Sequence, residues 1–156
     1  MTMLSKSALV LAATSMMLSG FAMANEPLKP EEMIKFRKAG YSSMAWNMGK
    51  IKNNLDGKFN KDEVQNAANV IAAVANSGMG ALYAPGTDKD HGDQKTRLKS
   101  KFFAEPEKVR EIAMNFNREA NALAKVSAGG NVAAINTQYK RVNDSCKACH
   151  DRYRTK

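Results

Sequence analysis

The chain has 156 residues, with 24 lysines and arginines against 15 acidic residues, a formal net charge of +9 and only two cysteines. That length suits one domain around one core, and the charge favours anionic partners or encounters at a membrane surface without selecting one. The lysines are spread along the chain without the aromatic interleaving of a single-strand binder, so no nucleic-acid partner is expected.

The N-terminus reads as an export signal. Lys6 gives a positive start, Ala8 to Leu18 an apolar stretch, and Ala22-Met23-Ala24 a small-residue cleavage site. A retained membrane anchor would need a longer run than one interrupted by Thr14, Ser15, Ser19 and Gly20, with a basic stop-transfer cluster behind it. Cleavage after Ala24 removes residues 1–24 and leaves 132 residues, 25–156, with a net charge of +8 because Lys6 departs. The mature chain is expected in the bacterial periplasm, with no membrane insertion.

Four amphipathic segments follow, and no strand pattern. The first opens at Pro30, with Glu31 and Glu32 suited to the positive end of the helix dipole. Its seam is Ile34, Arg37, Tyr41, Met44, Met48, Ile51 and Leu55, and Asp56-Gly57 ends it. Asn60 caps the second, with Glu63 placed for a capping box, and the stripe runs Val64, Ala67, Ile71, Val74, Gly78. The third starts near Pro106 and carries Val109, Ala113, Phe116, Ala120 and Leu123 before Gly129-Gly130 breaks it. Ile135, Tyr139, Val142, Cys146, Cys149 and Tyr153 form the seam of the fourth.

Stripes with a mean period of about 3.5 residues describe helices packed along one another, so the expected architecture is all-α, an antiparallel left-handed four-helix bundle. Short breaks make the first and second helices, and the third and fourth, antiparallel neighbours. The connection from Gly78 to about Ala104 is far longer and holds Gly80, Pro85, Gly86, His91 and Gly92. Connections of that length are often functional, although this one could simply cross the bundle end, and nothing in the sequence gives His91 a role.

The chemistry sits in Cys146-Lys147-Ala148-Cys149-His150. Two thiols two residues apart, with a histidine directly after the second, form the attachment pattern of a c-type haem. Each thiol can add to one vinyl group of the macrocycle while the imidazole reaches the iron, and on a helix all three side chains share a face. A dithiol redox pair would instead be expected at a helix N-terminus. A structural zinc site needs four ligands, and His91 is the only other histidine. A disulfide would leave His150 without a role. Haem c, one per chain and covalently held, is therefore the expected cofactor, with His150 as the iron ligand.

In an up-down-up-down bundle the start of the first helix lies beside the end of the last. Tyr41 is about 16 Å of helical rise beyond Pro30, a depth comparable with that of His150 from the other end. Tyr41 is thus the leading residue on the distal side of the haem, with Met44 one step deeper. Arg37, one turn before Tyr41 on the seam, would be resolved by a haem propionate, or else snorkels to solvent. Met44, Met48 and Met79 could each supply a thioether as sixth ligand, but methionine on a seam is more often core filler. Tyr41 as a phenolate ligand would need a depressed pKa, for which Arg37 is the only evident donor. Five-coordinate iron facing a crowded apolar pocket is expected.

These residues resemble the cytochrome c′ family, the haem-bearing four-helix bundles of bacterial periplasms. The C-terminal CKACHDRYR carries the resemblance together with RKAGYSSMAWNMGKIK in the first helix. It implies thioether bonds from Cys146 and Cys149, His150 as axial ligand, Arg37 near a propionate, Tyr41 over the open iron face and Arg154 near His150 on the proximal side. It also implies a homodimer through the first two helices and binding of NO and CO, with O₂ disfavoured.

Two functions follow. One is binding or transport of small diatomics, in which Tyr41 swings aside for the ligand. The other is a dedicated electron carrier that docks an acidic redox partner through Lys140, Arg141, Lys147, Arg152, Arg154 and Lys156. No distal histidine or carboxylate is evident to move protons, so no catalytic activity such as a peroxidase reaction is expected.

Overall fold

The computed structural model describes residues 27–156; the signal segment 1–24 and its cleavage point lie outside the described residues. The elements are α1 (Pro30–Asp56), α2 (Lys61–Ala75), a 3₁₀ turn (Met79–Leu82), a one-turn helix α3 (Lys101–Ala104), α4 (Pro106–Gly129) and α5 (Val132–Tyr153). Four long helices form the bundle, as the periodicity anticipates, and α3 is an addition inside the long connection.

The helix ends follow local chemistry. Pro30 and Pro106 occupy first-turn positions, where a missing N–H costs nothing. The Lys29 amide donates to the Glu32 carboxylate at 2.9 Å, satisfying one orphan donor. Asn60 accepts from the Glu63 amide at 3.1 Å, the expected cap. The reciprocal half of that box is built differently. The Asn60 amide donates to Asn54 Oδ1 at 2.8 Å, and Asn54 Nδ2 donates to Glu63 Oε2 at 2.9 Å, so an α1 side chain locks the turn into α2. Asn131 caps α5 through the Ala134 amide at 3.0 Å.

Two boundaries depend on left-handed glycines. Gly130 ends α4 at φ +69°, a conformation that costs glycine little. Gly78 has φ +81° and lies beyond α2, which stops at Ala75. The sequence stripe ran on to Gly78, but that residue begins the 3₁₀ turn instead.

The core joins Met44 and Ile51 of α1, Val64, Ala67, Ala68 and Ile71 of α2, Ala120 and Leu123 of α4, and Ile135 and Val142 of α5. Small alanines on α2 and α4 let those helices approach closely. One expected seam position departs from the pattern: Ala113 is exposed, and the half-buried residue beside it is Ile112. There α4 runs beside the polar end of α5 and borders an open groove with Ala148, Asp151 and Arg152.

Around the bundle, α1 packs on α2, α2 on α4 and α4 on α5 along broad seams. The closing seam, α1 against α5, is by far the sparsest. Arg37, Tyr41, Cys146 and Cys149 belong to its two helices.

Candidate functional site

On α5, Cys146 and Cys149 are half-buried free thiols one helical turn apart. Cys146 packs against the core. Burial pushes both thiols above their ordinary pKa, and for Cys146 the neighbouring Cys149 adds to the shift. Both therefore stay protonated near neutral pH, the form that adds across a vinyl group. His150 follows on the exposed side of the last turns. Burial, then the charge of Arg97, lowers its pKa, which favours the neutral imidazole with a lone pair to give. Two adjacent protonated thiols, an uncharged imidazole and the loosest seam of the bundle make a donor set that fits a covalently attached haem.

On α1, Met44 is 5 % exposed and belongs to the core, and Met48 packs against it. Met79 presses on Gly40, where a Cβ would come within 2.8 and 2.9 Å of its Cε and Sδ. All three methionines considered as thioether ligands thus have packing roles. Tyr41 is 39 % exposed. Desolvation raises its pKa, only partly offset by a hydrogen bond from Tyr83 and by Arg37, and it is near enough to respond to charge on Cys149 and Cys146. A neutral phenol is therefore the stable form, which disfavours Tyr41 as a phenolate ligand.

Arg37 does not snorkel. It is 4 % exposed, and its guanidinium is met by the long connection. Nη1 donates to Thr87 Oγ1 at 2.9 Å, and Nη2 donates to the Thr87 carbonyl at 2.6 Å and to Thr96 Oγ1 at 2.7 Å. Neutral acceptors thus compensate a buried cation. A propionate would be one further acceptor for Arg37, beside those the connection already supplies.

Several residues of this region had no signal in the sequence. Tyr83 hydrogen-bonds Tyr41, hydroxyl to hydroxyl, at 3.0 Å. Phe102 of α3 stacks on Tyr83 with centroids 4.5 Å apart and meets Tyr153 edge-on at 5.6 Å. The same connection grips the end of α5. The Lys99 amide donates to the Tyr153 carbonyl at 2.8 Å, and the Thr155 amide donates to the Arg97 carbonyl at 2.9 Å. Glu105 accepts from Arg152 Nε at 2.7 Å, from Nη2 at 3.0 Å and from the Tyr153 hydroxyl at 2.8 Å. These hydrogen bonds hold the Glu105 carboxyl down to about 2.

An open groove of about 780 Å³ beside His150 is lined by Arg97, Lys99, Arg154 and Lys156. Arg154 and His150 thus line the same groove. His91 is part of the loop's own framework, with Nε2 3.0 Å from the Gly86 carbonyl and a backbone bridge to Gln94. Among the described residues no group of three or more histidines, cysteines or acids is placed to hold a metal ion.

A family model described as Cytochrome C′ matches residues 32–154. Cytochrome c′ of Allochromatium vinosum is 52 % identical over 151 residues, covering 94 % of this chain and 98 % of its own. Cytochrome c′ of Rhodocyclus tenuis is 49 % identical over 132 residues, covering 84 % and 99 %. The solved cytochrome c′ of Thermochromatium tepidum superimposes with a TM-score of 0.82 at 53 % identity, over 84 % of this chain and all of that one. Another solved structure, a cytochrome c′ with an unusual ligand-controlled dimer dissociation, gives 0.83 at 56 % identity over the same shares.

Proposed function

The chain belongs to the cytochrome c′ family of haem proteins, and on that premise we propose that residues 25–156 form an exported periplasmic domain that binds NO and CO. Cys146 and Cys149 would hold one haem c, His150 would ligate its iron, Arg37 would lie near a propionate, and Arg154 would stand beside His150. When bound, the haem would supply an iron able to bind a small diatomic ligand.

The observation that carries this reading is the pairing across the α1/α5 seam. Tyr41, a neutral phenol on α1, comes near the two thiols of α5, while Met44, Met48 and Met79 are engaged in packing. None of these three thioethers is then free to ligate the iron. The chain's own contribution is exclusion. Met44, buried and one step deeper on α1, would crowd the distal side, and the Tyr41 phenol would cover the route in.

Ferrous holoprotein exposed to CO should develop a new Soret band. Tyr41→Ala should speed CO association by roughly tenfold, the effect of removing about 1.4 kcal/mol of barrier. Unchanged association kinetics would remove Tyr41 as a gate, and denatured protein without covalent haem colour would sink the whole reading.

A homodimer through α1 and α2 belongs to the same proposal. Phe36 and Trp46 of α1 and Val70 of α2 are exposed, Trp46 by 65 %, and Lys50 lies over the Trp46 ring at 3.8 Å. Outward apolar side chains on two neighbouring helices suit a self-complementary contact. Sedimentation with and without CO tests both the dimer and its coupling to ligand.

A second reading, electron transfer, is favoured by the groove beside His150, whose lining includes four cationic side chains. Reduction by an acidic partner should then slow as salt screens the attraction. Rates indifferent to ionic strength would remove steering from the account.

A further inference from the structure

Tyr83 lies 42 residues from Tyr41 in sequence, yet the two hydroxyls are 3.0 Å apart. Its ring is fixed by several contacts. Phe102 stacks on it with only 19° between planes. The Arg37 guanidinium carbon stands 4.8 Å from its centroid, a cation–π distance. Phe102 is in turn braced edge-on by Phe103 at 5.3 Å and Tyr153 at 5.6 Å, and Arg37 is tethered to Thr87 and Thr96. The Tyr83 hydroxyl is thus presented by a rigid frame built from α1, the long connection and α5.

Tyr41 differs. More than a third of it is exposed, and no aromatic partner stacks on its ring among the described residues. A phenol in that position turns readily about its side-chain torsions unless its tip is held. Both phenols are kept neutral, Tyr83 even more strongly than Tyr41, so each retains a proton to donate and the pair survives across the physiological pH range.

We propose that Tyr83 is a positioning residue that latches Tyr41 over the α1/α5 seam, so that a diatomic ligand enters only after the Tyr83–Tyr41 hydrogen bond breaks. The proposal deepens the gas-binding reading and rests on it. It divides the gate into two parts: Tyr41 supplies the steric block, and Tyr83 sets how often the block opens. A hydrogen bond between neutral groups contributes about 1 kcal/mol net. Its loss should therefore raise the rate of gate opening by about fivefold.

Tyr83→Phe removes the hydroxyl while leaving a ring to stack on Phe102 and face Arg37. CO association to the ferrous holoprotein should be compared by stopped flow in four proteins: wild type, Tyr83→Phe, Tyr41→Phe and the double variant. The expected result is association about fivefold faster in Tyr83→Phe, with no further gain on adding it to Tyr41→Phe, because the latch then has nothing to hold. Amide hydrogen exchange over residues 80–88 should stay as in wild type, which separates a latch from a merely loosened loop. Equal acceleration by Tyr83→Phe in both backgrounds would show that it acts through the loop and not through Tyr41. If Tyr41→Ala speeds binding but Tyr83→Phe does not, the latch fails and the gate stands. A Tyr41→Ala protein with wild-type kinetics overturns both.

Discussion

The two ends of this bundle are held together in different ways. Away from Cys146 and Cys149 the helices meet through Ile51, Val64, Ile71, Leu123 and Ile135, all fully buried. Near the cysteines the same α1 seam carries Arg37, and the buried partner it finds is Thr87 rather than another helix. Hydrophobic packing closes the first end, and directional hydrogen bonds from a loop, together with the Tyr83–Phe102–Tyr153 aromatic contacts, close the second. The hydrophobic drive is non-directional, whereas a hydrogen-bonded frame fixes the direction in which individual atoms point. Tyr41 and His150 both lie at the end where hydrogen bonds supplement packing.

The largest effect should come from the packed end. Leu123→Ala removes a fully buried side chain and should cost about 3 kcal/mol of stability, read by thermal or denaturant unfolding of the holoprotein. CO association should stay at the wild-type rate, since nothing around Tyr41 moves. At the other end, Arg37→Met keeps most of the side-chain length but leaves the Thr87 carbonyl and the Thr87 and Thr96 hydroxyls without their donor. Three buried or half-buried groups lose a charged partner, and the expected cost is about 2 kcal/mol. Here the loop should respond as well: amide exchange over residues 82–98 should rise and CO should bind faster. Should Leu123→Ala change ligand kinetics as much as Arg37→Met does, the division between the two ends is wrong.

The same division explains what the sequence revealed. Helix periodicity and end signals such as Pro30, Asn60, Pro106 and Gly129-Gly130 are local, and they located the four long helices to within a few residues. Cys146, Cys149 and His150 were legible because their spacing is itself the chemistry, and Tyr41 and Arg37 because they interrupt an apolar seam. Tyr83, Thr87, Thr96 and Glu105 were not legible, because their partners are 42 to 59 residues away and the connection has no period to read. One clue was present. A buried arginine on a helical seam demands several acceptors, and the adjacent long connection, with two threonines and Tyr83, was the nearest supply.

The gentlest test concerns the grip on the end of α5. Glu105 joins the segment before α4 to Arg152 and Tyr153, just past His150. Its carboxyl titrates at about 2 in the folded protein, against an ordinary value of 4.5. Because the folded pKa is depressed, the pairing stabilises fully above about pH 4.5 and is lost as the pH falls towards 2. Glu105→Gln abolishes that titration. The stability difference between wild type and Glu105→Gln should therefore be constant at neutral pH and shrink through the acid range, with the variant showing the flatter acid limb. Taking the difference cancels the acid response of every other group, including His150, so the readout belongs to this clamp. A difference that stays constant down to pH 2 would mean that the hydrogen bonds around Glu105 contribute nothing to holding the end of α5, leaving the backbone links at Lys99 and Thr155 to do so alone.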